Sequence, residues 1–311
     1  MRVVFWGTPD FAVPTLRALS EEGHDVVGVV TNPDRPAGRG RHLTPSPVKE
    51  AALEDGIPVL TPERPRGEDF LQDLRALDPE ISVVVAYGHI LVREVLDLPE
   101  RGSVNVHASL LPALRGAAPV NWAIIRGHET SGVTVMRMVE AMDAGPILLQ
   151  ADEPIGPRET ASELAMRLSE LGASALVEAL ALMGVGALEE REQDHGRATY
   201  APKIGRDTAR VDWGRGARDV ANHVRGMDAV PGAWSTLEGR PIKLFHAAPE
   251  SGWNEAGPGG GVLKADPNDG LVVAAGGGAV RVGEVQPPGK RRMAAVEWIR
   301  GRGVREGDRF E

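Results

Sequence analysis

Cysteine is absent from all 311 residues. That excludes a disulfide scaffold, a thiolate metal site and a cysteine nucleophile, and it suits a reducing compartment. Long apolar runs are lacking too. Nothing approaches the ~18 residues needed to span a bilayer, and the run at 81–87 has the length that fills a sheet. Met1-Arg2-Val3-Val4-Phe5-Trp6-Gly7 passes from one basic residue into a short apolar run. It lacks the longer apolar region and small-residue cleavage site of a secretory signal, so a cytoplasmic protein is expected. No Walker A sequence occurs. The glycine fingerprint G-x-G-x-x-G is missing where it would belong, because Gly7-Thr8-Pro9 follows the first predicted strand. Gly38-Arg39-Gly40 lies in a long loop instead. NAD is therefore not expected. Nor is a metal, since no His/Cys ligand cluster is visible.

What is present is ordinary globular material. Hydrophobic residues make up 42% and charged residues 25%, which argues against wholesale disorder. At roughly 100–200 residues per domain, the length suggests two domains, each able to bury a core without a covalent staple. The net charge is −9, a poor balance for general nucleic-acid binding. Distribution qualifies that. Between Asp34 and Glu50 lie Arg35, Arg39, Arg41 and Lys49, and from Arg281 onward eight basic residues face five acids. Each locally basic stretch is either a binding surface or a solvated loop or tail.

The first half alternates strands with helices. Strands are predicted at 2–6, 25–31, 58–60, 81–86 and 103–107, and helices at 11–19, 48–54 and 70–77. Near-continuous apolar strands in a βαβ rhythm predict a Rossmann-like, doubly wound, mostly parallel sheet. A further apolar strand is read at 133–139. Thr160-Ala161-Ser162-Glu163 is a capping box opening a long helix that ends near Gly184-Val185-Gly186. From about 188 to 207 the chain is polar and aperiodic, so a linker is placed at 190–207, between a catalytic domain over 1–189 and a second domain over 208–311. In the latter, short strands flank glycine turns at 238–240 and 276–278, which predicts a small antiparallel, OB-like β-barrel.

Two segments stand out. The loop at 32–47 exceeds the ~12 residues of a routine connection and carries three arginines among glycines and prolines. It reads either as an arm able to follow a phosphate backbone or as a disordered surface loop. The second is Ser103-Val104-Asn105-Val106-His107-Ala108-Ser109-Leu110-Leu111-Pro112. Residues two apart on a strand share a face, so Asn105 and His107 point together at a strand's C-terminal end, where doubly wound folds bind ligands. An amide and an imidazole offer two donors to one developing oxyanion, although a single strand histidine is more often structural. Asp143, in Met142-Asp143-Ala144-Gly145-Pro146, is a third candidate, and alone it could be only a turn cap.

The stretch 105–112, with Arg115-Gly116-Ala117-Ala118-Pro119 and Asp143-Ala144-Gly145, resembles the catalytic core of the 10-formyltetrahydrofolate-dependent formyltransferases. The segments at 5–12, 33–40, 200–204, 212–213 and 286–290 narrow the likeness to members acting on initiator methionyl-tRNA, over essentially the whole chain. The resemblance implies transfer of a formyl group from 10-formyltetrahydrofolate, a consumed donor, to the α-amino group of methionine on that tRNA. It implies Asn105, His107 and Asp143 as catalytic residues. It places Ser109, Leu110, Leu111, Pro112, Tyr87 and Gly88 at the folate, and Arg35, Arg39, Arg41, Lys203 and Arg206 at the tRNA. No metal and no membrane are implied, and a monomer is expected. His89 departs from the apolar or glutamine residue expected there. Arg115 reads equally as an anion partner or a surface residue. Two other readings use fewer of these features. A formyltransferase or formyl-folate hydrolase acting on a small amine or water needs no arginine loop, and a non-enzymatic RNA-binding module leaves Asn105 and His107 unexplained.

Overall fold

The computed structural model describes residues 1–37, 42–253 and 257–311. The chain forms two compact units. The first comprises 1–117, 131–153 and 165–201, and the second comprises 118–130, 154–164 and 202–311.

The first unit is built on a seven-stranded sheet. Its strands are β1 (Arg2–Gly7), β2 (Asp25–Val30), β5 (Val59–Leu60), β6 (Ile81–Val85), β7 (Ser103–His107), β8 (Thr130–Arg137) and β9 (Ile147–Pro154). The order is β5-β2-β1-β6-β7-β8-β9. The neighbours from β5 to β7 run parallel, and β8 lies antiparallel to β7. The apolar strands at the centre are covered on both faces: Val3 to Trp6 are fully buried, as are Ile81 and Val83. That burial is why these strands read as continuous hydrophobic runs rather than alternating ones. Trp6 still satisfies its indole N–H, which donates to Ser82 Oγ at 3.2 Å. The connecting helices are α1 (Val13–Glu21), α2 (Pro47–Glu54), α3 (Glu68–Ala76) and α4 (Arg93–Leu96). Ser46 caps α2 by accepting from the Lys49 N–H, with Pro47 at the first helical position, where a missing N–H costs nothing.

The long loop at 32–47 holds structure of its own. Arg35–Ala37 (β3) and His42–Thr44 (β4) pair antiparallel, with Arg35 opposite Thr44. Arg39 and Arg41 fall outside the described residues. Where the long loop was expected, β3 and β4 form a separate two-stranded ribbon, and prolines flanking and interrupting its strands suit edge positions.

The capping box forms as the sequence predicts. Glu163 accepts from the Thr160 N–H at 2.8 Å, and Thr160 Oγ1 accepts from the Glu163 N–H at 3.3 Å. It opens α6 (Ala161–Gly184). Among the described residues no helix is long and apolar enough to cross a membrane.

The second unit holds α5 (Pro119–Ile125), α7 (Ala217–Gly226) and α8 (Ala295–Arg300) with a six-stranded antiparallel sheet. Its strands are β10 (Ala233–Leu237), β11 (Arg240–Glu250), β12 (Val262–Asp266), β13 (Gly270–Ala275), β14 (Gly278–Gln286) and β15 (Met293–Ala294). They run in the order β10-β11-β14-β13-β12, with β15 beside β14. The C-terminal residues close this sheet. Arg309 bridges Gly261 at one edge and Phe310 bridges Leu237 at the other. Thr236 and Glu311 exchange backbone hydrogen bonds at 3.0 and 2.8 Å. A barrel whose two edges share one strand leaves no open ladder. Inside it, Phe310, Trp213 and Trp298 pack with ring centroids 5.8 and 6.5 Å apart. Helix α5 belongs with this core: Ile125 is part of it, and Asn121 Nδ2 donates to the Gly226 carbonyl at 2.8 Å. A contiguous division of the sequence cannot see that assignment.

Candidate active site

Strand β7 sets the geometry. Its register places Asn105 opposite Met136 and His107 opposite Thr134. Asn105 is half-buried and His107 is 6% exposed. Among the described residues the carboxamide of Asn105 has no hydrogen-bond partner, so both its donors and its acceptor are available to a ligand. His107 is fixed from one side. Its Nε2 lies 3.0 Å from the carbonyl oxygen of Leu114. A carbonyl only accepts, so Nε2 carries a hydrogen. Nδ1, 3.8 Å from Asp143 Oδ2, is then the nitrogen that takes up or releases a proton. That separation suits an ion pair and is too long for a hydrogen bond.

The loop after β7 is held by side chains from several elements. Thr134 Oγ1 donates to the Ser109 carbonyl at 2.6 Å and accepts from the Leu111 N–H at 3.1 Å. Gln150 Nε2 donates to the Leu111 carbonyl at 2.9 Å. Ser109 Oγ donates to the Ala113 carbonyl at 2.6 Å, and Thr199 Oγ1 accepts from the Leu114 N–H at 2.9 Å. Gly116 has φ +116°, and a Cβ there would stand 2.8 Å from the Ala201 carbonyl oxygen, so the loop can pass this point only as glycine. Its N–H donates to Asp143 Oδ2 at 2.7 Å. One carboxylate oxygen therefore accepts from the loop and faces the imidazole.

Asp143 sits in a turn with φ +50°. The sequence offers no sign of what supports it. The support is Gln193, 5% exposed in the polar stretch predicted to be a linker. Its Nε2 donates to the carbonyls of Asp143 and Gly145 at 2.9 and 2.7 Å, and its Oε1 accepts from Arg115. Arg115 is 5% exposed, so it is no surface residue. Residues 188–201 are thus folded against the first unit. Polarity conceals this because the buried groups there are hydrogen-bonded rather than apolar.

The residues expected at the folate divide. The Ser109 hydroxyl is spent on Ala113, and Leu111 is 3% exposed against Met136 and Ile147. Leu110 and Pro112 are partly exposed and can offer apolar surface. Tyr87 departs from its expected place. Its ring is 2% exposed, 5.4 Å edge-on from Trp6, and burial pushes its phenol up to about 12. Only backbone at Tyr87 and Gly88 can meet a ligand. His89 Nε2 lies 2.8 Å from Asn32 Oδ1, and Asn32 Nδ2 donates to the Tyr87 carbonyl at 3.0 Å, so this histidine ties two strand ends together. A depression of about 610 Å³ bounded by Arg17, His24, Asp25 and Asp55 holds none of the residues gathered at β7. Among the described residues no three His, Asp or Glu side chains could hold a metal.

Of the residues expected at tRNA, Arg35 is exposed on the hairpin. In the second unit Lys203 is exposed, and Arg206 lies over the Trp234 ring at 5.4 Å, with Arg210 at 5.7 Å.

A doubly wound sheet with Asn-x-His at a strand end, joined to an antiparallel barrel, is the architecture of a formyl transferase. The formyl transferase family matches residues 1–180, and the formyl transferase C-terminal domain matches residues 203–303. The chain belongs to this family, in the branch of the methionyl-tRNA formyltransferases. The methionyl-tRNA formyltransferase of Bacillus cytotoxicus is 44% identical over 302 residues, 97% of this chain and 96% of its own length. That of Bacillus mycoides is 46% identical over the same shares. Two solved structures share the fold. The N-formyltransferase from Helicobacter canadensis has a TM-score of 0.69 at 16% identity, over 92% of this chain and 99% of its own. Methionyl-tRNA formyltransferase from Clostridium thermocellum has a TM-score of 0.58 at 14% identity, over 81% and 95%.

Proposed function

We propose that this enzyme transfers the formyl group of 10-formyltetrahydrofolate to the α-amino group of methionyl initiator tRNA, as a monomer in the cytoplasm. Near-full-length identity to methionyl-tRNA formyltransferases supports the substrates. The observation that supports the site is that Asn105 and His107 share one strand end, Asp143 faces His107, and the Asn105 carboxamide has no partner among the described residues.

The α-amino group has an ordinary pKa of about 7.7–8.0, so a useful fraction is neutral near pH 7 and no strong base is needed for attack. The donor supplies an activated formyl carbon. As the amine adds, the formyl oxygen gains charge, and the Asn105 N–H groups would donate to it. His107 holds one hydrogen on the Leu114 carbonyl and exchanges the other at Nδ1, beside Asp143. Asp143 faces Nδ1 and would hold the ring in orientation. The proton lost by the new ammonium can pass through this pair, directly or by way of water, to N10 as the C–N10 bond breaks. Such contacts are commonly long before substrate arrives and tighten when it is bound. Leu110 and Pro112 would give the folate apolar surface, with backbone at Tyr87 and Gly88 beside it. Arg35, Arg39 and Arg41 would meet the acceptor end, and Lys203 and Arg206 the phosphates.

The test is formyl transfer by the purified protein from 10-formyltetrahydrofolate to methionyl-tRNA, with and without an initiator acceptor end. Small amines and buffer alone are run beside it. Transfer to the charged initiator tRNA, greatly exceeding transfer to amines or water, is the expected result. Equal turnover with a small amine would move the reading to a small-substrate formyltransferase.

A further inference from the structure

The chemistry above leaves a buried polar node unused. Arg115 is a cation at 5% exposure, and among the described residues no carboxylate pairs with it. Its Nε and Nη2 donate to Gln193 Oε1 at 3.2 and 2.6 Å, and Nη2 lies 2.9 Å from His195 Nδ1. Burying a guanidinium against neutral acceptors is costly, so its position calls for a reason beyond stability.

Its neighbour supplies one. A guanidinium only donates, so the Gln193 amide is forced to turn its oxygen toward Arg115. Its two N–H groups then face the opposite way, onto the carbonyls of Asp143 and Gly145. Every hydrogen-bonding direction of the amide is thereby used. The turn it grips needs holding. Asp143 has a positive φ, which is unfavourable for a residue with a Cβ. A Cβ at Gly145 would overlap the Arg137 carbonyl oxygen, so the backbone there is wedged tightly. The carboxylate of this turn is the one that accepts from Gly116 and faces His107.

We infer that Gln193 is a positioning residue for the Asp143 carboxylate, and that buried Arg115 fixes the amide in the one orientation that can grip the turn. This rests on the reading of Asp143 as catalytic, and the experiment separates the two. Gln193→Met keeps the volume and removes every hydrogen bond. Gln193→Glu keeps an acceptor for Arg115 and removes both donors. Each is made in the full-length protein alone and with Asp143→Ala, with folding checked by near-ultraviolet circular dichroism and rates taken in single turnover. Misplacing a catalytic group by about 1 Å can cost ~10²-fold, so kcat should fall roughly 10- to 100-fold in Gln193→Met. KM for both substrates should stay within about twofold. The loss should vanish in the Asp143→Ala background, because nothing remains to be positioned. An unchanged kcat in folded Gln193→Met, while Asp143→Ala is slow, overturns the inference alone. An equal loss in both backgrounds, or failure of both Gln193 variants to fold, assigns the node to stability and also overturns it. Near-normal turnover by Asp143→Ala removes the catalytic reading, and the inference with it.

Discussion

At the scale of single residues, the site is a set of groups with unequal freedom. Among the described residues the Asn105 carboxamide is unengaged, the His107 ring is anchored at Nε2, and the Asp143 carboxylate is anchored by the Gly116 N–H. Removing one oxyanion donor typically costs ~10²–10³ in rate. Asn105→Ala, His107→Ala and Asp143→Ala should each lose at least about 10²-fold in formylation while still binding tRNA. Single-turnover rates together with tRNA binding by filter retention check this. Near-normal formylation by Asn105→Ala would sink the proposed role of the amide. Asn105 and His107 were legible because a strand's period of two is written in the sequence. Leu114 and Gln193 were not. The first acts through a backbone carbonyl that every residue carries, and the second reaches Asp143 from 50 positions away.

The proposed RNA contacts and the local stability belong to the scale of elements. The hairpin β3–β4 is tied to its base by Lys49, whose Nζ lies 2.8 Å from Asp34 Oδ1. Arg35 can therefore be aimed from a fixed root. Arg41→Ala should raise KM for tRNA and reduce the steepness of its salt dependence by about one contact, leaving folate binding intact. Identical tRNA affinity at low and high salt in the unaltered protein would dispose of this role. At the start of α6, the Thr160 N–H and hydroxyl hold the Glu163 carboxyl below its ordinary value. A carboxylate whose folded pKa is depressed stabilises above its unfolded pKa, and that contribution is lost as pH falls through the folded value. Glu163→Ala should cost about 0.3–1.5 kcal/mol at pH 7, as a lost capping-box partner does. In urea titrations the difference from the unaltered protein should shrink as pH drops below about 4. A gap that stays constant into acid would mean that the cap's charge is irrelevant.

The molecule as a whole depends on contacts that close over long separations. Phe310, almost fully buried, lies on the strand that joins the two edges of the C-terminal barrel. Phe310→Ala should destabilise the protein by about 3–5 kcal/mol, the usual cost for a buried phenylalanine. Chemical denaturation followed by tryptophan fluorescence reads this, since Trp213 and Trp298 flank the ring. A loss below about 0.5 kcal/mol, the range of ordinary surface substitutions, would show that the closing strand is dispensable.

The parallel sheet, the capping box, the antiparallel second unit and the Asn105–His107 pair follow from the sequence by itself. Each depends on periodicity or on residues close together, which one dimension records. Tertiary structure alone decided that α5 joins the barrel core, that the polar stretch after α6 braces the Asp143 turn, and that Tyr87 is core rather than lining. Those outcomes depend on which distant surfaces meet, and hydrogen bonds between buried polar groups leave no period in the chain to announce them.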